Sequence, residues 1–508
     1  MTTFQRIDDI VAGNAIRHAD RPALRDGGRA ITYRELGTDV ERAAASLPAL
    51  GAGPGDRVLV VAENDARALV LLFAICRIGA WPVLATARLG PLEIDAIAAH
   101  CEPRLAIHLT STSDAAAGHA GRRSARAVDV DPLGSVAVER LAGDPAPEPP
   151  PGRPGDGVAA LLYTSGTTGA PKAAMLSHAN VLFIARTQGE LRRYAPDDRV
   201  WCAVPIAYAG AIASITMSTL LAGGCLHLAR RFAPEALARA LREDGITVVP
   251  GVPALHARFA AWVRAHPHAY AAPRLRMATS AASPLDVAVK ADVEAVYGLP
   301  LQNGYGLTET TAVVCQTSLD GWRRDTSVGR PLPGVETRVV DPSGRGVPCG
   351  EVGEILVRGP NVFAGYYRDP EATRAALTGD GWFRTGDLGC VDARGDLAIA
   401  GRAKELIKVS GYTVHPADVE AVFHAHPAVA TCAVVARAQG ADERIVAFVV
   451  LKDGASATPR ALRAFVAERI ADHKRPRVVR VLAELPALAN GKVDRNALRR
   501  IALEPAPR

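Results

Sequence analysis

With 508 residues, 48% of them hydrophobic, the chain can bury several cores, so one large multi-part domain or two to three domains are expected. Its formal charge of +6 is small for this length and comes without a long basic run, which argues against a nucleic-acid partner. Eight cysteines without a Cys-x-x-Cys pair suit reduced thiols in the cytoplasm and argue against a zinc ribbon. Lysine occurs only seven times, at 172, 290, 404, 408, 452, 474 and 492, so each is informative where an amine rather than a guanidinium is required.

Asp8 and Asp9 precede any apolar run, so no secretory leader is expected. Up to about residue 140 the pattern alternates between helix and strand: Thr32 to Leu36 opens a helix, Val58 to Val61 is a buried strand, and Ala66 to Ile78 is a helix. This is the texture of a layered α/β fold with a mostly parallel sheet. The Pro-rich run from Asp144 to Gly157 reads as an extended, exposed connector. Ala209 to Leu226 is nearly uncharged and about long enough to span a bilayer. Its Gly, Ser and Thr content and the lack of a second such segment favour a buried helix, so no transmembrane segment is expected.

Three strands then end in small-residue turns, at Thr247–Pro253, Leu275–Pro284 and Leu301–Glu309. Ligands of open α/β sheets collect at the carboxyl ends of strands, so one crevice is expected to gather these turns. After Val328 come shorter, Gly-rich strands at 337–340, 353–357, 382–387 and 397–400, a β-rich subdomain. Beyond Gly401–Gly411, helices at 418–425 and 459–470 flank strands at 429–436 and 446–451, and the last roughly 100 residues have the size of a small α+β domain. His266/His268 and His424/His426 are weak metal candidates, and solvated histidines are the better reading.

Between the connector and the second half lies Tyr163-Thr-Ser-Gly-Thr-Thr-Gly-Ala-Pro-Lys172, entered from the apolar Val158–Leu162. Gly166 and Gly169 let backbone N–H groups converge on an anion, Thr164, Ser165, Thr167 and Thr168 add hydroxyl donors, and Lys172 adds a cation. A flexible linker is the competing reading, but linkers rarely follow a buried strand and close in Pro-Lys. No Gly-Lys-Ser/Thr ends the loop, so it is not a Walker loop. A nucleoside triphosphate is the expected ligand.

These stretches, with Tyr305-Gly-Leu-Thr-Glu309, Gly353-Glu-Ile, Gly365-Tyr366, Thr385-Gly-Asp387, Gly401–Gly411 and Pro486–Lys492, resemble the adenylate-forming superfamily of acyl-CoA synthetases, aryl-CoA ligases, adenylation domains and luciferases. The resemblance spans nearly the whole chain. It implies a large N-terminal domain, residues 1–402, of layered α/β subdomains plus a β-rich subdomain, and a small mobile α+β domain, residues 403–508, hinged near Lys404. It implies ATP, Mg2+ and CoA as cofactor and co-substrates. The 163–172 loop would hold the β- and γ-phosphates, Glu309 would ligate Mg2+, and the Thr308 hydroxyl would lie near the α-phosphate. Asp387 would accept both ribose hydroxyls, a fit for a two-oxygen acceptor. Arg402 would join it, Tyr305 would stack on adenine, and Asn303 would stand near the adenine amino group. Lys492 would bridge the carboxylate and α-phosphate during adenylation, and Lys408 and Gly411 would belong to the face presented during thioester formation. Alone, Glu309 could be a helix cap, Tyr305 a core residue, Asn303 a turn residue, and Lys404 and Lys408 a solvated i,i+4 pair.

At the expected acyl pocket the chain departs from the family pattern. Tyr208 replaces the usual His, and Ser280-Ala281-Ala282-Ser-Pro284 replaces a Gly-Gly turn, so two added methyls narrow that wall. No acidic residue at 207 or 208 can pair with an α-ammonium, and Gly304 stands where dicarboxylate-specific relatives carry Arg. A neutral monocarboxylic acid, aromatic or short to medium aliphatic, remains. The expectation is an AMP-forming carboxylate–CoA ligase. The runner-up loads a carrier-protein phosphopantetheine, but no Ser-bearing helical module follows Lys492. A luciferase-type oxygenase shares the motifs, whereas a non-catalytic nucleotide-binding module is expected to lose Lys492 or Glu309.

Overall fold

The computed structural model describes residues 4–140, 145–164, 171–409, 412–439, 442–488 and 492–504. The chain forms two compact units, residues 1–336 with 357–383, and residues 337–356 with 384–508.

The first unit is built on two large sheets. In the seven-stranded sheet the order is Arg126–Val130, Gly134–Arg140, Leu105–His108, Arg57–Ala62, Trp81–Thr86, Val158–Thr164 and Lys172–Ser177. All six residues of Arg57–Ala62 are buried, as a parallel strand covered on both faces requires. The helix Ala66–Arg77 is buried at ten positions, from Ala66 and from Ala68 through Cys76, and starts where the Asp65 carboxylate accepts the Arg67 N–H at 2.8 Å. Thr32 and Glu35 form a reciprocal cap for Tyr33–Ser46, which is why that helix begins where its sequence predicts.

The nine-stranded sheet runs Arg330–Pro331, Cys315–Gln316, Leu301–Tyr305, Met277–Ser280, Val248–Gly251, Arg199–Cys202, Cys225–Leu228, Pro22–Asp26 and Arg29–Thr32. The three strands with small-residue turns are parallel neighbours, with Gly251 level with Ser280 and Ser280 level with Asn303. Their carboxyl ends therefore open on one sheet edge. The uncharged 209–226 stretch is helical only over Gly210–Leu221, with its first eight residues π-helical. It turns at Gly223 (φ +79°) and enters the strand Cys225–Leu228. No described helix is long and apolar enough to cross a membrane.

In the second unit the strands Val429–Gln439, Asp442–Leu451 and Val478–Val481 form a sheet. Alternate residues point to opposite faces: Val434, Ile445, Ala447 and Val449 join a core with Val419, Phe423, Leu462 and Val466, while Ala433, Val435, Val446 and Phe448 pack with Leu498 and Ala502. The helices Pro416–His424 and Pro459–Ala467 thus cover one face, and Arg495–Leu503 covers the other. Four further strands, Glu336–Val340, Gly353–Arg358, Phe383–Val391 and Leu397–Arg402, lie side by side. Most of this β-rich segment groups with the C-terminal residues in the second compact unit. The antiparallel ladder that joins Asp387 to Arg402, and the packing of Pro416–His424 against Leu397–Arg402, account for this grouping.

Candidate active site

Ser165, Gly166, Thr167, Thr168 and Gly169 lie outside the described residues, as does Gly411. The flanks of the 165–170 segment are clear. Val158–Thr164 and Lys172–Ser177 pair antiparallel, with Thr164 opposite Lys172, so the segment connects two strands rather than a strand and a helix. The Thr164 hydroxyl donates to the Lys172 carbonyl at 3.4 Å. The Lys172 ammonium stands 5.2 Å from the centre of the Tyr366 ring, within range of a cation–π attraction.

Tyr305 ends its strand opposite Cys315, and the chain then turns sharply. Gly306 is required there, because a Cβ would come within 2.0 Å of the Ala312 carbonyl oxygen. Thr311 and Ala312 follow at φ +50° and +86°, left-handed conformations that cost L-residues about 1–2 kcal/mol each. The surroundings hold them: the Thr311 hydroxyl donates to Asn361 O at 2.8 Å, the Asn361 amide to Val313 O at 2.9 Å, and Phe363 N to Glu309 O at 2.9 Å. This strained turn presents Thr308 and Glu309, both half-buried. The Tyr366 hydroxyl donates to Glu309 Oε1 at 2.8 Å, and among the described residues the Glu309 carboxylate has no other hydrogen-bond partner. A carboxylate with one oxygen braced and the other uncommitted fits a hard cation that takes one or two carboxylates alongside phosphate oxygens.

Asn303 is 3% exposed; its amide nitrogen donates to Thr326 O at 2.9 Å and Ser327 O at 3.3 Å, and its oxygen accepts from Gly304 N at 3.1 Å. The nitrogen is committed to backbone carbonyls, while the oxygen keeps a second lone pair. Ala281 and Gly304 continue the two neighbouring strand ends, with Ala281 N donating to Gly251 O at 3.2 Å. Ala282 is exposed at φ +72°, a glycine-like conformation. Tyr208 is half-buried, and burial pushes its phenol up to about 12, so at neutral pH it is an O–H donor.

In the second unit, Arg402 Nε meets Asp387 Oδ1 at 2.9 Å, as expected for cross-strand partners. Asp387 is 4% exposed; its N–H donates to the Thr385 hydroxyl at 3.0 Å, which in turn donates to Ile355 O at 2.7 Å. Lys404 and Lys408 are exposed, Lys404 within the single turn Ala403–Glu405. The Lys492 carbonyl accepts from Leu488 N at 2.7 Å, and Ala487 bridges Val493, so the flanks of residues 489–491, which lie outside the described residues, pair antiparallel. The residues read as binding or catalytic are thus divided: Lys172, Thr308, Glu309 and Tyr305 in the first unit, Asp387, Arg402, Lys404, Lys408 and Lys492 in the second. No cluster of metal-ligating side chains occurs among the described residues, the two His pairs included.

Two residues escaped the sequence reading. Tyr366 was part of a motif without a role. Asn64 donates to Cys202 O at 3.2 Å, Val204 O at 3.0 Å and Ala229 O at 3.0 Å, and accepts from Ile206 N at 2.9 Å, so it fixes the segment that leads into Tyr208. The only signal was a polar Glu63-Asn64-Asp65 run directly after a fully buried strand.

The first unit thus carries a strained turn with Glu309 and, on the strand Lys172–Ser177, the Lys172 ammonium; the second carries the Asp387–Arg402 pair. Comparison with known proteins identifies the class. Residues 11–367 match the model of the AMP-binding enzyme family and residues 418–492 that of the AMP-binding enzyme C-terminal domain. The chain is 33% identical to a sulfoacetate–CoA ligase of Cupriavidus necator, with 97% of each chain covered, and 35% identical to a feruloyl-CoA synthase of an Amycolatopsis species, with 94% and 95% covered. It superposes on the crystal structure of ATP-bound MatB from Rhodopseudomonas palustris with a TM-score of 0.87 at 31% identity, covering 98% and 99%. The chain belongs to the AMP-binding enzyme family of the adenylate-forming superfamily, and it is an acid–thiol ligase.

Proposed function

We propose that this ligase activates a neutral monocarboxylic acid, aromatic or short to medium aliphatic, as acyl-AMP, and passes the acyl group to free CoA. The observation that carries the reading is the braced Glu309 carboxylate beside Tyr366 and Lys172, on the edge where three parallel strands end. In the first half-reaction a carboxylate oxygen attacks the α-phosphorus and pyrophosphate leaves. Anion repulsion opposes this step, so cations and donors must meet the charge that develops. Lys172 and the 164–169 loop take the β- and γ-phosphates, Thr308 donates to the α-phosphate, and Lys492 joins the carboxylate and α-phosphate oxygens. Asp387, oriented by Arg402, accepts from the ribose hydroxyls, and Tyr305 offers its ring to adenine. Glu309 would hold Mg2+, which when bound neutralises phosphate oxygens. In the second half-reaction the CoA sulfur attacks the acyl carbon and AMP leaves. Residues 403–508 rotate about Lys404 between the two steps, bringing Lys408 and Gly411 to the thiol.

The pocket positions Tyr208, Ala281, Ala282 and Gly304 supply no cation, and burying an unpaired second anion is costly. This favours a feruloyl-like neutral acid over a sulfoacetate-like one. The test is pyrophosphate release over a panel of carboxylic acids, with and without CoA. Acyl-CoA should form from the preferred acid at the rate of pyrophosphate release. Accumulation of acyl-AMP that only a carrier protein discharges would establish the carrier-loading alternative.

Ala282 yields a further expectation. Replacing it with glycine removes a methyl from the pocket wall and a strained φ together, so thermal stability should hold or rise. The kcat/KM for acids larger by one methyl-sized group should rise about tenfold relative to the best small acid. An unchanged acid profile would place Ala282 outside the pocket.

A further inference from the structure

We propose that Tyr366 is a positioning residue that keeps Lys172 and Glu309 apart and ready, holding the ammonium on its ring face and the carboxylate on its hydroxyl; this rests on the ligase reading above. Its placement is over-determined. Ala364 N donates to Met175 O at 3.0 Å, Met175 N to Gly365 O at 3.0 Å and Tyr367 N to Ala173 O at 2.8 Å, so residues 364–367 run as an extra edge along Lys172–Ser177. Tyr366 bridges Ala174, which makes Lys172 its diagonal neighbour on the same face, within reach of a long side chain. Gly365 permits the approach at φ +131°, where a Cβ would stand 2.8 Å from Thr373 Cγ2, and Tyr366 N donates to the Thr373 hydroxyl at 2.9 Å. On the other side Phe363 is tied to the Glu309 carbonyl and packs edge-on to the Tyr366 ring, with centroids 4.8 Å apart.

An ammonium and a carboxylate this close to one ring would neutralise each other if nothing intervened, and neither charge would then be available to phosphate or metal. Among the described residues Lys172 and Glu309 form no ion pair, with each other or with any other side chain. The aromatic ring attracts the cation without supplying a counter-charge, and the phenol braces the carboxylate without supplying a cation. Tyr366 therefore holds two opposite charges in place while leaving both uncompensated.

The test is calorimetric ATP binding, with and without Mg2+, on the full chain and four variants, with circular dichroism confirming folding. Tyr366→Phe keeps the ring face. Its metal-free ATP affinity should match the parent, while the gain in affinity on adding Mg2+ should shrink roughly tenfold, as for a lost hydrogen bond to a charged group. Tyr366→Leu should let Lys172 and Glu309 pair and weaken metal-free ATP binding about fivefold. Adding Glu309→Gln to Tyr366→Leu should restore it, a rescue that a merely structural role would not produce; Glu309→Gln alone is the control. Failure of the double variant to regain affinity, or a full Mg2+ gain in Tyr366→Phe, would overturn the proposal. If Tyr366→Leu does not fold, Tyr366→Met with the same Glu309→Gln rescue decides it. Acid-dependent pyrophosphate exchange by the parent, measured alongside, scores the ligase reading separately: its absence with ATP binding intact sinks that reading and leaves the spacing result standing.

Discussion

Lys492→Ala is expected to slow acid-dependent pyrophosphate exchange by about 100- to 1000-fold, the range for removing a group that meets charge in the transition state, while leaving thioester formation from supplied acyl-AMP nearly intact. The substitution should leave the local fold intact. Its backbone is held by Leu488 N to Lys492 O and Asp494 N to Pro486 O, and the next helix is capped by the Asp494 carboxylate, which accepts from Ala497 N at 2.9 Å. Arg495 anchors the same segment from inside, donating to Val434 O at 2.6 Å and Glu420 Oε1 at 2.8 Å. Lys492→Arg should not recover the rate, because a planar fork cannot replace a compact ammonium between two oxyanions. Single-turnover kinetics of both half-reactions measure this. Normal adenylation by the folded variant, or equal damage to both steps, would remove Lys492 from its assigned role.

Lys404→Pro should separate the half-reactions in the opposite sense, with pyrophosphate exchange preserved and thioester formation reduced about a hundredfold or more, the loss expected when reacting groups can no longer be aligned. Lys404 lies exposed in a one-turn link between the strands Leu397–Arg402 and Ile407–Val409. The link's ends are secured independently: Arg402 by Asp387, and Lys408 through its N–H to Glu443 Oε2 at 2.6 Å. Proline fixes φ at 404 and restricts Ala403, so it stiffens the link without touching a phosphate ligand. Equal loss of both activities would make the position structural.

Much of this arrangement was legible in the residues alone, for definite reasons. A strand covered on both faces must be apolar throughout, and Arg57–Ala62 is nearly so, its one charged end satisfied by the guanidinium's bonds to the Cys101, Ala146 and Glu102 carbonyls. Asp387 and Arg402 lie in two stretches that the sequence singles out, and the ladder between them makes them partners.

Other features depended on which distant segments meet, and no local periodicity encodes that. Tyr366 reaches Glu309 across 57 residues because residues 364–367 pair with the edge of Lys172–Ser177. The amide nitrogen of Asn303 is held by the 326–327 carbonyls, more than twenty residues along the chain. The grouping of most of the β-rich strands with the C-terminal residues likewise follows from packing between segments. By itself the sequence determined most of the strand and helix segments, because burial and hydrogen bonding within a segment follow from its own residues. Only the tertiary structure decided which charges are braced, which are spent and which stay available, because that is settled by long-range pairing between strand edges.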